Sequence, residues 1–199
     1  MKNLSFLTCV LLLGVWLTIP QAVWGYAAGP PDNRCGNPPT YATCATCHNT
    51  YPLNSGTGNV TLSGVPPSYV SGHSYPLTIT LTDPTLIRWR WGFEITAADP
   101  AGGDAGEFVI TDPLNTQLSD NPIPQLDFVK QTATGSYAQV PSPVSWTFTW
   151  TAPNDDAGAT FWFVGNAGNN NNNQFYDYIY LDTLMVSATY PVYVVLTPT

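Results

Sequence analysis

The chain has 199 residues, and 13 Asp and Glu against 5 Lys and Arg give a formal net charge of -8 at pH 7. Hydrophobic residues make up 44% and aromatic residues 13%, which is typical of a folded chain, whereas charged residues account for only 9%. The acidic balance argues against nucleic acid and anionic membrane surfaces as partners, and it suits a basic redox partner or a divalent cation.

The first 25 residues have the composition of a secretory signal peptide. Lys2 supplies the positive start, residues 4–19 form an apolar run, and small residues near Gly25 supply a cleavage site. We expect cleavage after Gly25 or Ala27 and export to the periplasm, the extracellular space or the cell surface. No second apolar run of membrane-spanning length follows, so the sequence predicts no membrane span.

Residues 26–60 form an irregular segment rich in Pro, Gly, Asn and Thr, with a short helical element expected within residues 40–48. This segment contains Cys44-Ala45-Thr46-Cys47-His48. Two cysteines separated by two residues can each form a thioether with one vinyl group of a haem, and the following histidine then reaches the iron. The motif predicts one haem c per chain, bound by Cys44 and Cys47 with His48 as the proximal iron ligand.

Other uses of these cysteines are open at the sequence level. A disulfide between Cys44 and Cys47 would leave the chain free of haem, and a zinc site would need Cys35 and His48 as further ligands. If haem occupies Cys44 and Cys47, then Cys35 is the odd cysteine of the exported chain. We expect Cys35 to be a buried thiol, and an intermolecular disulfide is the alternative.

The second axial ligand of the iron has few sources in this chain. Beyond residue 25 the sequence contains only two histidines, His48 and His73, and one methionine, Met185. His73 is the first candidate because its loop could fold back over Cys47, whereas the alternation around Met185 favours core packing and makes it the weaker candidate. The new N-terminal amine, a water molecule and a residue of a neighbouring molecule are the remaining sources.

From Ser74 onward the apolar residues recur with a period of two, the pattern of half-buried β-strands. Turns rich in Pro, Gly, Asn and Asp separate the runs, and no helical periodicity of useful length follows. The run 161–164 is apolar on both faces, which indicates a central strand. The predicted strands are 74–82, 89–97, 108–111, 128–134, 146–151, 161–164, 176–186 and 190–196.

Strands at this regular spacing predict an all-β fold, an antiparallel immunoglobulin-like β-sandwich over residues 61–199 behind the irregular haem-binding segment. The alternation predicts that most tryptophans of the exported chain are in the core and that the threonines face water. No catalytic constellation accompanies His48 or His73, because neither has a nucleophile-bearing turn nearby. We therefore expect no enzymatic activity.

Residues 169–173 are consecutive asparagines, a composition that favours a flexible polar loop. Together with Asp177 and Asp182 this loop could offer oxygen ligands for calcium, as could Asp155-Asp156, although no twelve-residue calcium-loop pattern is present. Calcium is therefore a second and weaker cofactor prediction.

The order of these motifs resembles a family of secreted bacterial proteins, sometimes labelled choice-of-anchor V, that joins a Cys-x-x-Cys-His segment to a Reeler-like sandwich. The resemblance covers nearly the whole exported chain and implies the same fold and export. The chain departs from it at Tyr176-Asp177, where such proteins often have Gly-Asp. Besides the haem motif, the matching pieces are Gly29-Pro30-Pro31 and residues 69–75, 91–95, 105–108, 148–153, 161–163 and 177–180.

Taken together, the sequence predicts a secreted single-haem c-type cytochrome that transfers electrons to a redox partner protein of unknown identity. One alternative is a haem-free extracellular binding or adhesion module with a disulfide between Cys44 and Cys47. Another is a self-assembling extracellular subunit, a homo-oligomer whose edge strands or C-terminal residues join copies of the chain.

Overall fold

A computed structural model describes residues 25–122 and 125–189 of the chain. The signal-peptide prediction falls on residues that, apart from Gly25, lie outside this range, and so does the strand predicted at 190–196. Within the described ranges the chain is all-β, with ten strands in two sheets and two short 3₁₀ turns. The predicted fold class, a β-sandwich, is confirmed.

The two sheets have four and six strands. Their orders are β1-β3-β8-β5 and β2-β10-β9-β4-β7-β6. Strand pairs are antiparallel except for the short parallel pair of β2 with β10. The bounds are β1 Asn59–Ser63, β2 Ser68–Tyr69, β3 Ser74–Thr82, β4 Arg90–Ala98, β5 Glu107–Val109, β6 Thr116–Pro122, β7 Gln125–Gln131, β8 Val144–Thr151, β9 Ala159–Gly168 and β10 Tyr178–Ala188.

The main core lies between the sheets and is built largely from aromatic side chains. Trp146 and Trp150 of β8 are fully buried, and their indole nitrogens donate to the carbonyl oxygens of Gly135 and Ala105, each at 2.8 Å. The ring of Phe93 stacks on Trp146 at 4.5 Å between centroids. A pair of this kind contributes about 0.5–1.5 kcal/mol beyond its buried area. Each indole N–H is hydrogen-bonded, so burial of these side chains leaves no donor unpaired. Their burial therefore stabilises the sandwich without the penalty of an unsatisfied polar group.

Strand β9 is central, as its two apolar faces predict. It lies between β10 and β4 and pairs along its whole length with both. Phe161 and Phe163 point into the core between the sheets, whereas Val164 belongs to a second buried cluster. This second cluster covers the outer face of the six-stranded sheet.

The irregular N-terminal segment forms a third layer on that outer face. Buried Cys35 and partly buried Cys44 and Ala45 pack there against β4, β7, β9 and β10. Cys35 also forms an isolated bridge with Thr43, which folds the segment back on itself. The sheet therefore fixes the position of the Cys44–His48 motif, although almost no regular structure is present around it.

Three features differ from the sequence predictions. Strand β1 lies partly within the segment predicted to be irregular, and β6 was not predicted because its sequence TQLSDNP has no apolar alternation. Met185, for which core packing was favoured, is 82% exposed. It shares a strand face with Ile179 and Leu181, but it lies beyond the part of that face that the N-terminal layer covers. No helix within the described ranges is long and apolar enough to cross a membrane.

Candidate functional site

A cleft of about 330 Å³ opens between the N-terminal layer and one end of the six-stranded sheet. Cys44, Cys47 and His48 line it from the N-terminal side, and Gly92 and Asn166 line it from β4 and β9. The asparagine-rich loop that follows β9 forms another wall. A volume of this size is in the range of cofactor and small-ligand sites. The three residues of the predicted haem motif therefore face one shared space.

The two cysteines are presented by a tight turn. Residues Cys44–Thr46 form a 3₁₀ turn, and the Thr43 hydroxyl caps it by accepting from the Ala45 amide at 3.2 Å. The Cys44 carbonyl accepts from the amides of Cys47 and His48, at 3.2 and 2.9 Å. Satisfying these amides locally allows a five-residue motif to hold both thiols and the imidazole in a fixed arrangement without a longer helix.

His48 is oriented by a buried carboxylate. Its Nδ1 lies 2.7 Å from Oδ2 of Asp177, and the other carboxylate oxygen of Asp177 accepts from the Asn169 amide at 3.0 Å. Asp177 is only 3% exposed and is therefore held on both oxygens. A carboxylate that accepts from one imidazole nitrogen fixes the ring tautomer and leaves the other nitrogen as a metal ligand. Sequence reasoning missed this pairing, because the two residues are 129 positions apart.

The second imidazole nitrogen of His48 keeps its lone pair. The amide nitrogen of Asn166 lies 3.3 Å from Nε2 and 3.4 Å from Nδ1. A hydrogen-bond donor that lies along the lone pair of one ring nitrogen is much farther from the other ring nitrogen. Because the amide nitrogen of Asn166 is nearly equally far from Nδ1 and Nε2, it lies along neither lone pair. The side-chain oxygen of Asn166 is buried and has no hydrogen-bond partner within the described residues. Nε2 is thus available as a metal ligand.

The three cysteines of the described residues are free thiols, so the alternative disulfide between Cys44 and Cys47 is not formed in this structure. Burial, reinforced by the nearby carboxylate of Glu94, raises the pKa of Cys44 above its ordinary value. Zinc binding and thiol exchange both need a thiolate, which a raised pKa disfavours. Addition of a thiol to a vinyl group leaves an uncharged thioether, which suits this environment better.

Cys35 is not part of the cleft. It is fully buried, and its thiol donates to the side-chain oxygen of Asn37 at 3.3 Å. Burial raises its pKa, and the charge of Glu94 adds to the shift. The expected buried thiol is therefore what the structure contains. A zinc site of three cysteines and His48 is not assembled, since no metal-binding group of three or more Cys, His, Asp or Glu occurs in the described residues.

Two arginines line the cleft without ion-pair partners among the described residues. Arg88 is paired with Asp83 and Lys130 with Asp32, whereas Arg34 and Arg90 line the cleft and form no such pair. The Nε atom of Arg90 is buried and has no hydrogen-bond partner in the described part of the chain. In a chain with a net charge of -8, this placement of cations favours an anionic group in the cleft.

The asparagine-rich loop is ordered by its own side chains. The side-chain oxygens of Asn169, Asn171 and Asn173 accept from the backbone amides two residues on, at 3.0, 3.0 and 2.8 Å. Asn170 and Asn172 alternate with them at positive φ, near 60°. Such repeated Asx turns give the loop a defined shape, where the sequence favoured a flexible one. Three of the oxygens proposed as calcium ligands, those of Asn169, Asn171 and Asn173, accept these backbone hydrogen bonds.

His73 and Met185, the two predicted distal ligands, do not line the cleft. Strand β10 runs eleven residues from the cleft to Ala188, which pairs with Tyr69, four residues before His73. At about 3.3 Å per residue, His73 is therefore at the opposite end of the sandwich, roughly 30 Å away. Met185 is exposed far along the same strand. The structure brings Cys44, Cys47 and His48 together, and it does not bring His73 or Met185 to them.

The donor set of the cleft fits haem c. Two thiols and an imidazole with a carboxylate-oriented ring match covalent attachment and proximal ligation. Arg34 and Arg90 suit the two propionates that a haem would bring. The described residues do not offer the closed four-ligand sphere of structural zinc at this place.

Comparison with known proteins yields similar folds and no family. No family model matches the sequence, and no curated protein matches it. The Reelin-N domain of F-spondin is a similar solved structure, with 19% identity over 73% of this chain and 96% of that chain and a TM-score of 0.48. The human F-spondin reeler domain is 19% identical over 69% of this chain and 93% of that chain, with a TM-score of 0.45.

A cohesin module from a Clostridium perfringens family 33 glycoside hydrolase is also similar. It is 11% identical over 67% of this chain and 98% of that chain, with a TM-score of 0.47.

Proposed function

We propose that the chain is an exported single-haem c-type cytochrome, without enzymatic activity, that transfers electrons to a redox partner protein. The haem is bound covalently at Cys44 and Cys47, and Nε2 of His48 is its proximal iron ligand. The observation that carries the proposal is the convergence of both thiols and His48 on one cleft, with the His48 ring oriented by buried Asp177. Haem supplies a one-electron couple whose potential depends on its ligands and surroundings.

Six of the residues that line the cleft have a part in this function. Cys44 and Cys47 prevent loss of the cofactor from an exported protein. Asp177 holds the proton on Nδ1 of His48 and makes the imidazole a better donor. Arg34 and Arg90, which line the cleft, would pair with the carboxylates of a bound haem, and their positive charge would favour the reduced, less positive iron. The open side of the cleft gives a partner access for electron transfer.

A haem stain after denaturing electrophoresis tests the covalent attachment. In cells with c-type maturation, the wild-type chain should stain for haem, and the double variant Cys44→Ala, Cys47→Ala should not. Cys35→Ala is the matched control, because Cys35 is a thiol of the same segment that lies outside the cleft. Haem retained by the double variant, or lost equally by the control, contradicts the proposed attachment.

A haem-free binding module is the second candidate function. It is favoured by the two unpaired arginines of the cleft, which would suit another anionic ligand. A chain that is secreted in folded form without haem, from cells that mature other c-type cytochromes, would support this second candidate.

A further inference from the structure

We infer that the second axial ligand of the iron is the α-amino group of Tyr26, released when the signal peptide is removed after Gly25. The inference rests on the proposed function, because it requires a haem in the cleft. It adds a ligand that is absent from the chain before processing. The six-coordinate, low-spin state of the iron would thereby depend on removal of the signal peptide.

The first step is the set of groups that line the cleft. Neither His73 nor Met185 is among them, and His48 is the proximal ligand. The carboxylate of Asp177 is engaged on both oxygens by His48 and by the Asn169 amide. The remaining polar side chains are mainly amides and guanidiniums, which are poor donors to iron. The Tyr26 phenol is the exception, because a tyrosine can ligate haem iron, and the Tyr26→Phe variant below separates it from the amine. Gly25 and Tyr26, in contrast, both line the cleft, so cleavage between them creates a nitrogen donor there.

The second step is the anchoring of Tyr26. Its carbonyl oxygen accepts from the Gly29 amide at 3.1 Å and from the side-chain nitrogen of Gln131 at 3.3 Å. Gln131 is 3% exposed, and its side-chain oxygen accepts from the Phe93 amide at 2.9 Å. One buried side chain thus ties Tyr26 to the backbone of β4 at the floor of the cleft.

The residues after Tyr26 are held in the same way. The Gln117 side chain donates to the carbonyl oxygen of Ala28, and the Lys130 ammonium donates to that of Pro30 at 2.9 Å. Chain termini are poorly ordered unless such contacts tie them down. Three long side chains from β6 and β7 therefore fix a segment that would otherwise fray once the signal peptide is gone. This anchoring keeps a new terminus at the cleft.

The test combines the N-terminal sequence of the secreted protein with the spin state of its haem. The wild-type chain should begin at Tyr26 and have a low-spin, six-coordinate spectrum. Two alanines inserted between Gly25 and Tyr26 move the amine by up to about 7 Å along the chain. That variant should keep covalent haem and become high-spin. Tyr26→Phe is the matched control, because it keeps the amine and removes only the phenol, and it should remain low-spin.

Labelling the protein with ¹⁵N-tyrosine gives a second readout that needs no variant. A ¹⁵N hyperfine coupling of the size expected for a ligand atom should appear in the paramagnetic resonance of the ferric protein. A chain that begins at Ala28, an insertion variant that stays low-spin, or a missing coupling would overturn the inference while leaving the covalent haem intact. Absence of haem in the wild-type protein would instead overturn the proposed function, and the inference with it.

Discussion

At the residue scale, the central contact is between His48 and Asp177. The Cys-x-x-Cys-His spacing is local, so the sequence was sufficient to predict Cys44, Cys47 and His48 as a group. The partner of the imidazole is 129 positions away and becomes adjacent only when β10 begins beside the N-terminal layer. Nothing in a single sequence marks that contact. Arg34 and Arg90 were missed as cleft residues for the same reason.

The role of Asp177 predicts the effect of its neutral variant. Asp177→Asn should keep covalent haem, because Cys44 and Cys47 are unchanged, and it should raise the reduction potential. The carboxylate strengthens His48 as a donor and so favours ferric iron; its removal weakens that preference. A tenfold change in relative affinity for the two iron states corresponds to about 59 mV. The measurement is a spectroelectrochemical titration.

Asp182→Asn is the matched control for this titration. Asp182 lies on β10, five residues after Asp177, but it is exposed and does not line the cleft. Asp182→Asn removes the same formal charge from a nearby position of the chain. If both variants shift the potential equally, the effect of Asp177 is general electrostatics and the oriented-imidazole explanation is contradicted.

Glu94 predicts a pH dependence of stability. It is fully buried, one carboxylate oxygen accepts from the Arg34 amide, and the other has no partner in the described residues. Burial raises its pKa from 4.5 to about 8, although the Arg34 amide and the Lys130 charge oppose the shift. Between these pH values the folded chain retains a proton that the unfolded chain has lost. The free energy of unfolding therefore falls as pH rises through this window, by at most about 1.4 kcal/mol per unit.

Glu94→Gln should remove this slope, because the amide keeps an acceptor for Arg34 and cannot ionise. Urea denaturation at pH 5 and pH 8 measures it. We expect the wild-type chain to lose more stability than the variant between the two pH values. An equal loss in both would show that Glu94 does not cause the dependence.

At the scale of elements, the long strands were predictable and the short ones were not. The alternation in β3, β4 and β8 follows from one face on the aromatic core and the other on solvent or on the N-terminal layer. Strand β6 has Leu118 as its one large apolar residue and is formed by pairing with β7 instead. Met185 shows a further limit. The alternation assigned Met185 correctly to a strand. Whether its face of the strand is buried, however, depends on the N-terminal layer, which is distant in the sequence.

The asparagine loop is an element whose order comes from side chains alone. Asn171 accepts from the Asn173 amide at 3.0 Å and donates to the Phe175 carbonyl at 3.2 Å. Asn171→Ala removes both bonds and should lower the free energy of unfolding by roughly 1 kcal/mol, since the site is exposed. It should also speed hydrogen exchange at the amides of Asn173 and Phe175. Exchange measured by NMR tests this.

Asn172→Gly is the matched control for the loop. Asn172 has a positive φ of 61°, which glycine adopts readily, and its side chain forms no hydrogen bond within the described residues. The control should leave exchange at Asn173 and Phe175 close to the wild-type rate. Equal acceleration in both variants would contradict the ladder of Asx turns as the source of order.

At the scale of the whole molecule, the chain is a sandwich with an additional N-terminal layer. The four-stranded sheet, the six-stranded sheet and the N-terminal layer enclose two buried clusters, and the cleft lies where the third layer ends. The fold class was predictable because the period-two alternation of apolar residues is enough to indicate an all-β sandwich. The position of the irregular segment against the outer face was not, since that segment has no periodicity of its own.

This arrangement suits the proposed haem attachment by a small motif. Residues Cys44–His48 form only a single turn, the sheet beneath them supplies rigidity, Asp177 orients His48, and Arg34 and Arg90 are the cations of the cleft. In the proposed cytochrome, thioether bonds at Cys44 and Cys47 would retain the haem. A haem at this edge of the sandwich would be exposed on one side, as electron transfer to a separate protein requires.

The most direct test of the central claim is a reduced pyridine haemochrome spectrum of the exported protein, purified from cells with c-type maturation. The account predicts the absorption band of a haem attached by two thioethers, at one haem per chain. Protein without haem, in which thiol titration finds Cys44 and Cys47 oxidised to a disulfide, would contradict it.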